Sequence, residues 1–216
     1  HPGTRSTPFG SASEVEAALR AAPEAFGGGD CPEPTLAALL EALKKIPRKS
    51  KVFVCTDASS KDDEVAGVKP SKAVLEIVRK RQLQVTFSAS GSCSPIDPNY
   101  HRIANASGGQ VLVVDHTSED TGIATGGIVA GTQSYEPVHV ESGALSAPKV
   151  IAVAVETGAQ QLQITATLDA GQITVRDPLG HVVPGAVFLS GRSVHVAAPA
   201  PGNWEIAPSC WSGWPV

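Results

Sequence analysis

Lys51-Val-Phe-Val-Cys-Thr-Asp57 is the stretch whose reading decides the fold. It is a short apolar run ending on a carboxylate, the pattern of a buried strand that carries an acid at its carboxyl end. On its amino-terminal side Leu36, Leu39, Leu40 and Leu43 recur at i, i+3, i+4 and i+7, which marks one helix face. Thr35 is placed to cap that helix and Pro47 to stop it. On the other side Val74, Ile77 and Val78 mark a second helix, and Gln84-Val-Thr-Phe-Ser-Ala89 reads as a second strand. A short helix around 99–106 then leads to a third strand, Gln110-Val-Leu-Val-Val-Asp115. Alternating strands and helices predict parallel pairing through right-handed crossovers. Three convincing strands are fewer than a doubly wound sheet usually has. The Gly-rich stretch 121–134, with helical spacing at Ile123, Ile128 and Val129, predicts a weak last helix.

After about Glu136 the pattern changes. Ile151–Val155, Leu162–Leu168, Gln172–Arg176, Val194–Val196 and Trp204–Ile206 are strand-like, with partial period-two alternation. Asp177-Pro-Leu-Gly180 fits a type I turn, and Pro201-Gly202 marks another. The organisation expected is an α/β unit over 1–135, a linker over 136–148 and an all-β sandwich over 149–216, with the end of the sandwich left open.

Composition narrows the function classes. The 216 residues are 42% hydrophobic and 18% charged, with a net charge of −4, which is neither a disordered tail nor a coiled coil. A mildly acidic chain read as having no dense Lys/Arg patch is a poor nucleic-acid binder. No apolar run approaches the roughly 20 residues of a membrane span. The chain starts at His1 and has no Met, so it reads as a processed or truncated piece of something longer. Cys31, Cys55, Cys93 and Cys210 form no C-x-x-C pair, which argues against a zinc cage or a redox motif. Asn105-Ala-Ser107 is an N-glycosylation sequon and, with the cysteines, favours an extracytoplasmic protein.

In open α/β sheets ligands bind outside the carboxyl ends of the strands. Asp57 emerges at that edge, and Gly27-Gly-Gly-Asp30-Cys-Pro-Glu33, which precedes the earlier helix, lies on the same edge. Asp30, Glu33 and Asp57 supply the hard oxygens that Mg²⁺ or Ca²⁺ takes. The plainer reading is that Asp30 and Glu33 complement a helix N-terminus.

Gly-Gly-Gly-Asp30-Cys-Pro-Glu33, followed by Val-Phe-Val-Cys-Thr-Asp57-Ala-Ser-Ser-Lys-Asp62, resembles the von Willebrand factor A domain of hemicentins and their relatives. Asp30-Cys-Pro-Glu33 and Thr56-Asp57-Ala58 also resemble elements of the A-like domain found in the β subunits of integrins. Ile103-Ala-Asn-Ala-Ser-Gly-Gly-Gln110 fits the family's last helix-to-strand turn. Asp177-Pro-Leu-Gly180 and Pro199-Ala-Pro-Gly202-Asn-Trp204 resemble the β-sandwich that follows the A domain in hemicentins. The resemblance implies a partial, Rossmann-like A domain with a parallel sheet, then that sandwich. It also implies a divalent-cation adhesion site with Asp57 as the strand-end acid and Glu33 or Asp30 from the second loop. The family's Asp-x-Ser-x-Ser loop and central strand have no counterpart in the chain, so the site is expected to be incomplete. The sheet is expected to need strands supplied by preceding chain or by a neighbouring polypeptide.

Other features carry weaker readings. Asp62, Asp63 and Glu64 read as a solvated acidic loop rather than a second cation site. Cys31 and Cys93 fall at the ligand edge, where a disulfide and buried thiols are both open readings, and Cys55 reads as a small core residue. Ser209-Cys-Trp211-Ser-Gly-Trp214 resembles the opening of thrombospondin type 1 repeats, where Trp211 could carry a C-linked mannose. An ordinary strand or linker is the plainer reading. The six histidines show no metal-ligand pairing, and no nucleophile elbow or phosphate loop is present. The expected function is an extracellular adhesion or matrix protein that binds other proteins, either further extracellular subunits or missing segments of its own chain, and is not an enzyme. The rivals are a purely structural subunit of a filament or coat without metal and, more weakly, a hydrolase or phosphotransfer enzyme using Asp57.

Overall fold

Three short parallel strands organise the first half of the chain: β1 (Lys51–Thr56), β2 (Gln84–Ser90) and β3 (Val111–Val114), in the order β1-β2-β3. Val54 lies opposite Phe87, and Phe87 opposite Val111, so one row of apolar residues runs across all three. The computed structural model describes residues 10–21, 31–65, 67–90, 96–114, 138–141, 145, 147–168, 171–188 and 191–209. Asp30, Cys93, the helix expected in 121–134 and Trp211 lie outside the described residues.

Among the described residues four helices precede or connect the strands: α1 (Ala12–Arg20), α2 (Thr35–Leu43), α3 (Pro70–Arg81) and α4 (Pro98–Ser107). The leucine stripe does what its spacing predicts. Leu36, Leu39 and Leu43 are buried with Val74 and Val78 of α3, Tyr100 and Ile103 of α4, and Val85 and Phe87 of β2. Each such side chain contributes about 1.5–3 kcal/mol on burial.

The helix starts differ from expectation at α2. Thr35 is its first residue rather than its cap, and the preceding Pro34 offers no side-chain cap. The Leu36 amide donates instead to Ser60 Oγ at 3.0 Å, so the loop after β1 caps the helix before it. The helix ends at Leu43, before Pro47 is reached. At α3, Asp62 accepts from the Ser71 amide (2.8 Å) and from Ser71 Oγ (2.6 Å), so this acid holds a helix start while Asp63 and Glu64 remain exposed.

Two further expectations are corrected. Cys55 is exposed, not a core residue: along β1 the residues Lys51, Phe53 and Cys55 are exposed while Val52, Val54 and Thr56 are half-buried. β1 is an edge strand, and one of its faces is open among the described residues. The reading of no dense Lys/Arg patch also fails, because the fold brings Lys44, Lys45 and Arg48 together with Lys80 and Arg81 around one cleft. Neither group looks decisive while they are read apart.

The described residues of the second half form two three-stranded antiparallel sheets. One has the order β4-β9-β6, from β4 (Ile151–Val155), β6 (Gln172–Arg176) and β9 (Gly202–Ser209). The other has the order β5-β8-β7, from β5 (Gln161–Ala166), β7 (Ala186–Phe188) and β8 (Gly191–Ala197). Val155, Ile173, Val175 and Trp204 from the first share one core with Leu162, Ile164 and Val194 from the second. The Asp177–Gly180 turn forms, with the Gly180 amide on the Asp177 carbonyl at 2.9 Å and Gly180 at φ 85°.

Among the described residues, the Thr167 side chain joins the halves by hydrogen bonds. Just past β5, it accepts from the Val113 amide (3.1 Å) and donates to the Val111 carbonyl (3.4 Å), both on the edge of β3 away from β2.

Candidate functional site

A parallel bridge between Glu33 and Ser60 joins the segment before α2 to the loop after β1. The Glu33 amide donates to the Ser59 carbonyl (2.8 Å), and the Lys61 amide to the Glu33 carbonyl (2.7 Å). Behind them Thr35 Oγ1 lies 3.4 Å from Thr56 Oγ1. Glu33 and Asp57 therefore sit on two hydrogen-bonded loops at the carboxyl end of β1. Glu33 is half-buried and Asp57 exposed.

The loop bearing Asp57 is held from beneath. Thr56 folds back on its own chain, its Oγ1 accepting from the Ala58 amide at 3.3 Å. The Ala58 carbonyl accepts from the Tyr100 hydroxyl at 2.8 Å, and the Ser60 amide donates to Asp97 Oδ2 at 3.2 Å. Ala58 and Ser60 are buried, so the loop is pinned on its inner side and presents Asp57 outward. Tyr100 is fully buried and stacked on Phe87, ring centroids 4.5 Å apart. Burial pushes its phenol above the ordinary tyrosine range, against the lowering effect of hydrogen bonds from Thr35 and Thr56.

Asp97, Ser60 and Tyr100 are not among the residues the sequence singles out, although Asp97-Pro98 carries a recognisable signal of a cap followed by proline in the first turn. Asp97 accepts from the Asn99 amide at 2.8 Å through one oxygen and from the Ser60 amide through the other. It caps α4 and anchors the Asp57 loop at once. Replacing Asp97 with alanine removes a cap and leaves the buried Ser60 amide unpaired, an expected loss of about 2–4 kcal/mol in urea unfolding. Asp63→Ala on the exposed neighbouring loop is expected to cost less than about 0.5 kcal/mol. Equal losses for the two variants would contradict the anchoring role.

The donor set decides how far a cation fits. Mg²⁺ or Ca²⁺ takes about six or more oxygens. At this edge Asp97 and Asp62 already have both carboxylate oxygens occupied by protein donors. Glu33 and Asp57 remain, and among the described residues no group of three or more His, Cys, Asp or Glu side chains is placed to hold a metal ion. The described residues alone do not make a complete cation shell.

Cys31, beside Glu33, is disulfide-bonded, with its partner outside the described residues. Cys55 is a free thiol. Asn105 is exposed in the last turn of α4, while its sequon partner Ser107 is drawn inward: Ser107 Oγ accepts from the Val85 amide at 3.0 Å and donates to the Ala104 carbonyl at 2.9 Å.

Residues 11–116 match a family model described as von Willebrand factor A domain. The chain is 26% identical to hemicentin-1 of Homo sapiens over 197 residues, 85% of this chain and 3% of that protein. It is 29% identical to hemicentin-2 of Mus musculus over 195 residues, 83% of this chain and 4% of that protein. Against von Willebrand factor A domain-containing protein 7 of Rattus norvegicus it is 30% identical over 206 residues, 84% of this chain and 22% of that protein. The chain thus spans only a small part of each of these relatives.

Proposed function

Because residues 11–116 belong to the von Willebrand factor A domain family and the chain is hemicentin-like over most of its length, we propose that the protein is a protein-interaction module of an extracellular adhesion or matrix protein. Its contact surface is the edge formed by the Glu33 segment and the Asp57 loop, and it catalyses nothing. The observation that carries this reading is the display of Asp57. The carboxylate is exposed, while the loop beneath it is fixed by Tyr100 and Asp97. A rigid exposed acid suits recognition, since little ordering entropy is lost on contact. The disulfide at Cys31 supports the extracellular placement, because such bonds persist in oxidising compartments.

A divalent cation at this edge is part of the proposal only as a shell that Asp57 and Glu33 contribute to and do not complete. When bound, such a cation would supply a positive site for a partner's carboxylate. The side chains themselves present negative charge to a basic partner surface.

The test is binding of extracellular-matrix proteins to the immobilised full chain, compared with an Asp57→Asn/Glu33→Gln variant, each with and without EDTA. The variant is expected to melt within about 2 °C of the parent, since neither side chain is in the core. It is expected to lose at least about tenfold in affinity, roughly 1.4 kcal/mol. Undiminished binding by the variant would remove this edge as the contact surface. EDTA sensitivity of the parent alone would show that a cation takes part.

A further inference from the structure

The edge of the sheet opposite Asp57 has the opposite charge. The segment 42–56 contains Lys44, Lys45, Arg48, Lys49 and Lys51 and no acid, and the segment 77–96 contains Arg79, Lys80 and Arg81 and no acid. These eight are nearly half of the 17 lysines and arginines in a chain whose net charge is −4. The fold joins them. Arg81 Nη1 donates to the carbonyls of Leu43 (2.9 Å) and Ile46 (2.8 Å), fastening the end of α3 to the end of α2, and the Lys49 amide donates to the Arg81 carbonyl at 2.9 Å. Between them opens a cleft of about 490 Å³ lined by Lys44, Lys45, Arg48, Lys80 and Arg81. The strand starts that flank it, Gln82–Gln84 and Gly108–Gln110, carry no carboxylate.

Helix ends alone do not account for this charge. The carboxyl ends of α2 and α3 both point here, and each is worth about −0.5 of a charge. Glu41, bonded to Lys44, and Glu76, one helical turn before Arg79 and Lys80, add two negative charges. Lys44, Arg48, Lys49, Arg79, Lys80 and Arg81 still outweigh these by roughly three positive charges. Arg81 has a structural task, but Arg48, Lys49, Arg79 and Lys80 extend from exposed positions around the cleft. Concentrated positive charge on an acidic chain is an electrostatic footprint for a polyanion.

We propose that this cleft and its rim bind a sulfated polysaccharide. The choice of polysaccharide over nucleic acid rests on the extracellular reading above. It rests also on the lining: the residues that form the cleft include no aromatic side chain on which bases could stack. Arginine and lysine together suit sulfate, the first through paired N–H donors and the second as a point charge.

The experiment passes the full chain over immobilised heparin at about 0.15 M salt and then through a rising salt gradient. Retention is expected, with affinity falling steeply and log-linearly as salt rises. An Arg48→Gln/Lys49→Gln/Arg79→Gln/Lys80→Gln variant, which leaves Arg81 in place, is expected to lose at least about tenfold in affinity with an unchanged circular dichroism melt. Should that variant not fold, Arg48→Gln/Lys80→Gln serves, with a loss of at least about threefold. The Asp57→Asn/Glu33→Gln variant is expected to bind heparin like the parent, which separates this site from the adhesion edge. Failure of the parent to bind, equal binding by the charge-removed variant, equal binding of desulfated heparin, or stronger binding of duplex DNA or polyglutamate at the same salt would each overturn the assignment.

Discussion

Replacing Gly109 with alanine is expected to remove a large share of the stability of the first half of the chain. A Cβ built at this position would stand 1.9 Å from the Val85 carbonyl oxygen and 2.5 Å from its carbon, both backbone atoms of β2. No rotamer change relieves such a contact, so the turn from α4 to β3 would have to move away from β2. That movement would break the Gly109 amide bond to Ala104 (3.0 Å) and disturb the Gln110 carbonyl that receives the Phe87 amide (2.8 Å). The expected cost is more than about 3 kcal/mol, a fall of about 10 °C in Tm. Gly108 is the control. It sits at φ 70° with nothing within 4 Å of an added Cβ, so alanine there meets only backbone strain, about 1 kcal/mol. Urea titrations of the two variants settle the matter, and a Gly109→Ala no weaker than Gly108→Ala would contradict the close approach.

Tyr100 is the second position of large expected effect, because it serves the core and the Asp57 loop together. Tyr100→Ala removes a fully buried ring and its stacking on Phe87, an expected loss of about 3–5 kcal/mol. Tyr100→Phe keeps the ring and removes the bond to the Ala58 carbonyl. That oxygen retains a contact from Thr56 Oγ1 at 3.2 Å, so the cost is about 1 kcal/mol. The hydroxyl also sets a pH dependence. Burial raises the folded phenol above its ordinary value of 10.0. The stability it contributes is complete below the unfolded value and is lost as pH rises through the higher folded one. Melts from pH 8 upward should show the parent weakening on the alkaline side and Tyr100→Phe weakening less. Identical alkaline limbs would contradict the buried hydroxyl.

What can be read in advance follows the range of the physical signal. The strand cores 51–56, 84–90 and 111–114 and the Leu36/Leu39/Leu43 stripe are legible because burial imposes periodicity on neighbouring residues. Three-residue β7 is too short to show a period. Caps escape a local reading where the partner is remote: the α2 amide finds Ser60, 24 positions away, and nothing local to Thr35 reveals it. Cys55 is misplaced by sequence because an apolar run looks alike in a central strand and in an edge strand with one open face. Of the site, the acids at 33 and 57 can be located from strand and helix order. The side chains that fix their loops, Asp97 and Tyr100, come from an element about 40 residues further on. The basic cleft is hidden in the sequence for the same reason, since its two halves meet only after α2 and α3 pack side by side.

The Thr167 hydroxyl on the border of β3 has a consequence for polymerisation. An outermost strand is a template: its outward amides and carbonyls can recruit a strand from another molecule, and that strand recruits the next. Thr167 takes one amide and one carbonyl of β3 out of that template with a single oxygen atom. A side chain, unlike a strand, has no second row of backbone groups to pass on. Among the described residues this border is therefore closed by one atom, and Thr167→Val, nearly the same in shape, would still cover the strand but leave that amide and that carbonyl without a partner.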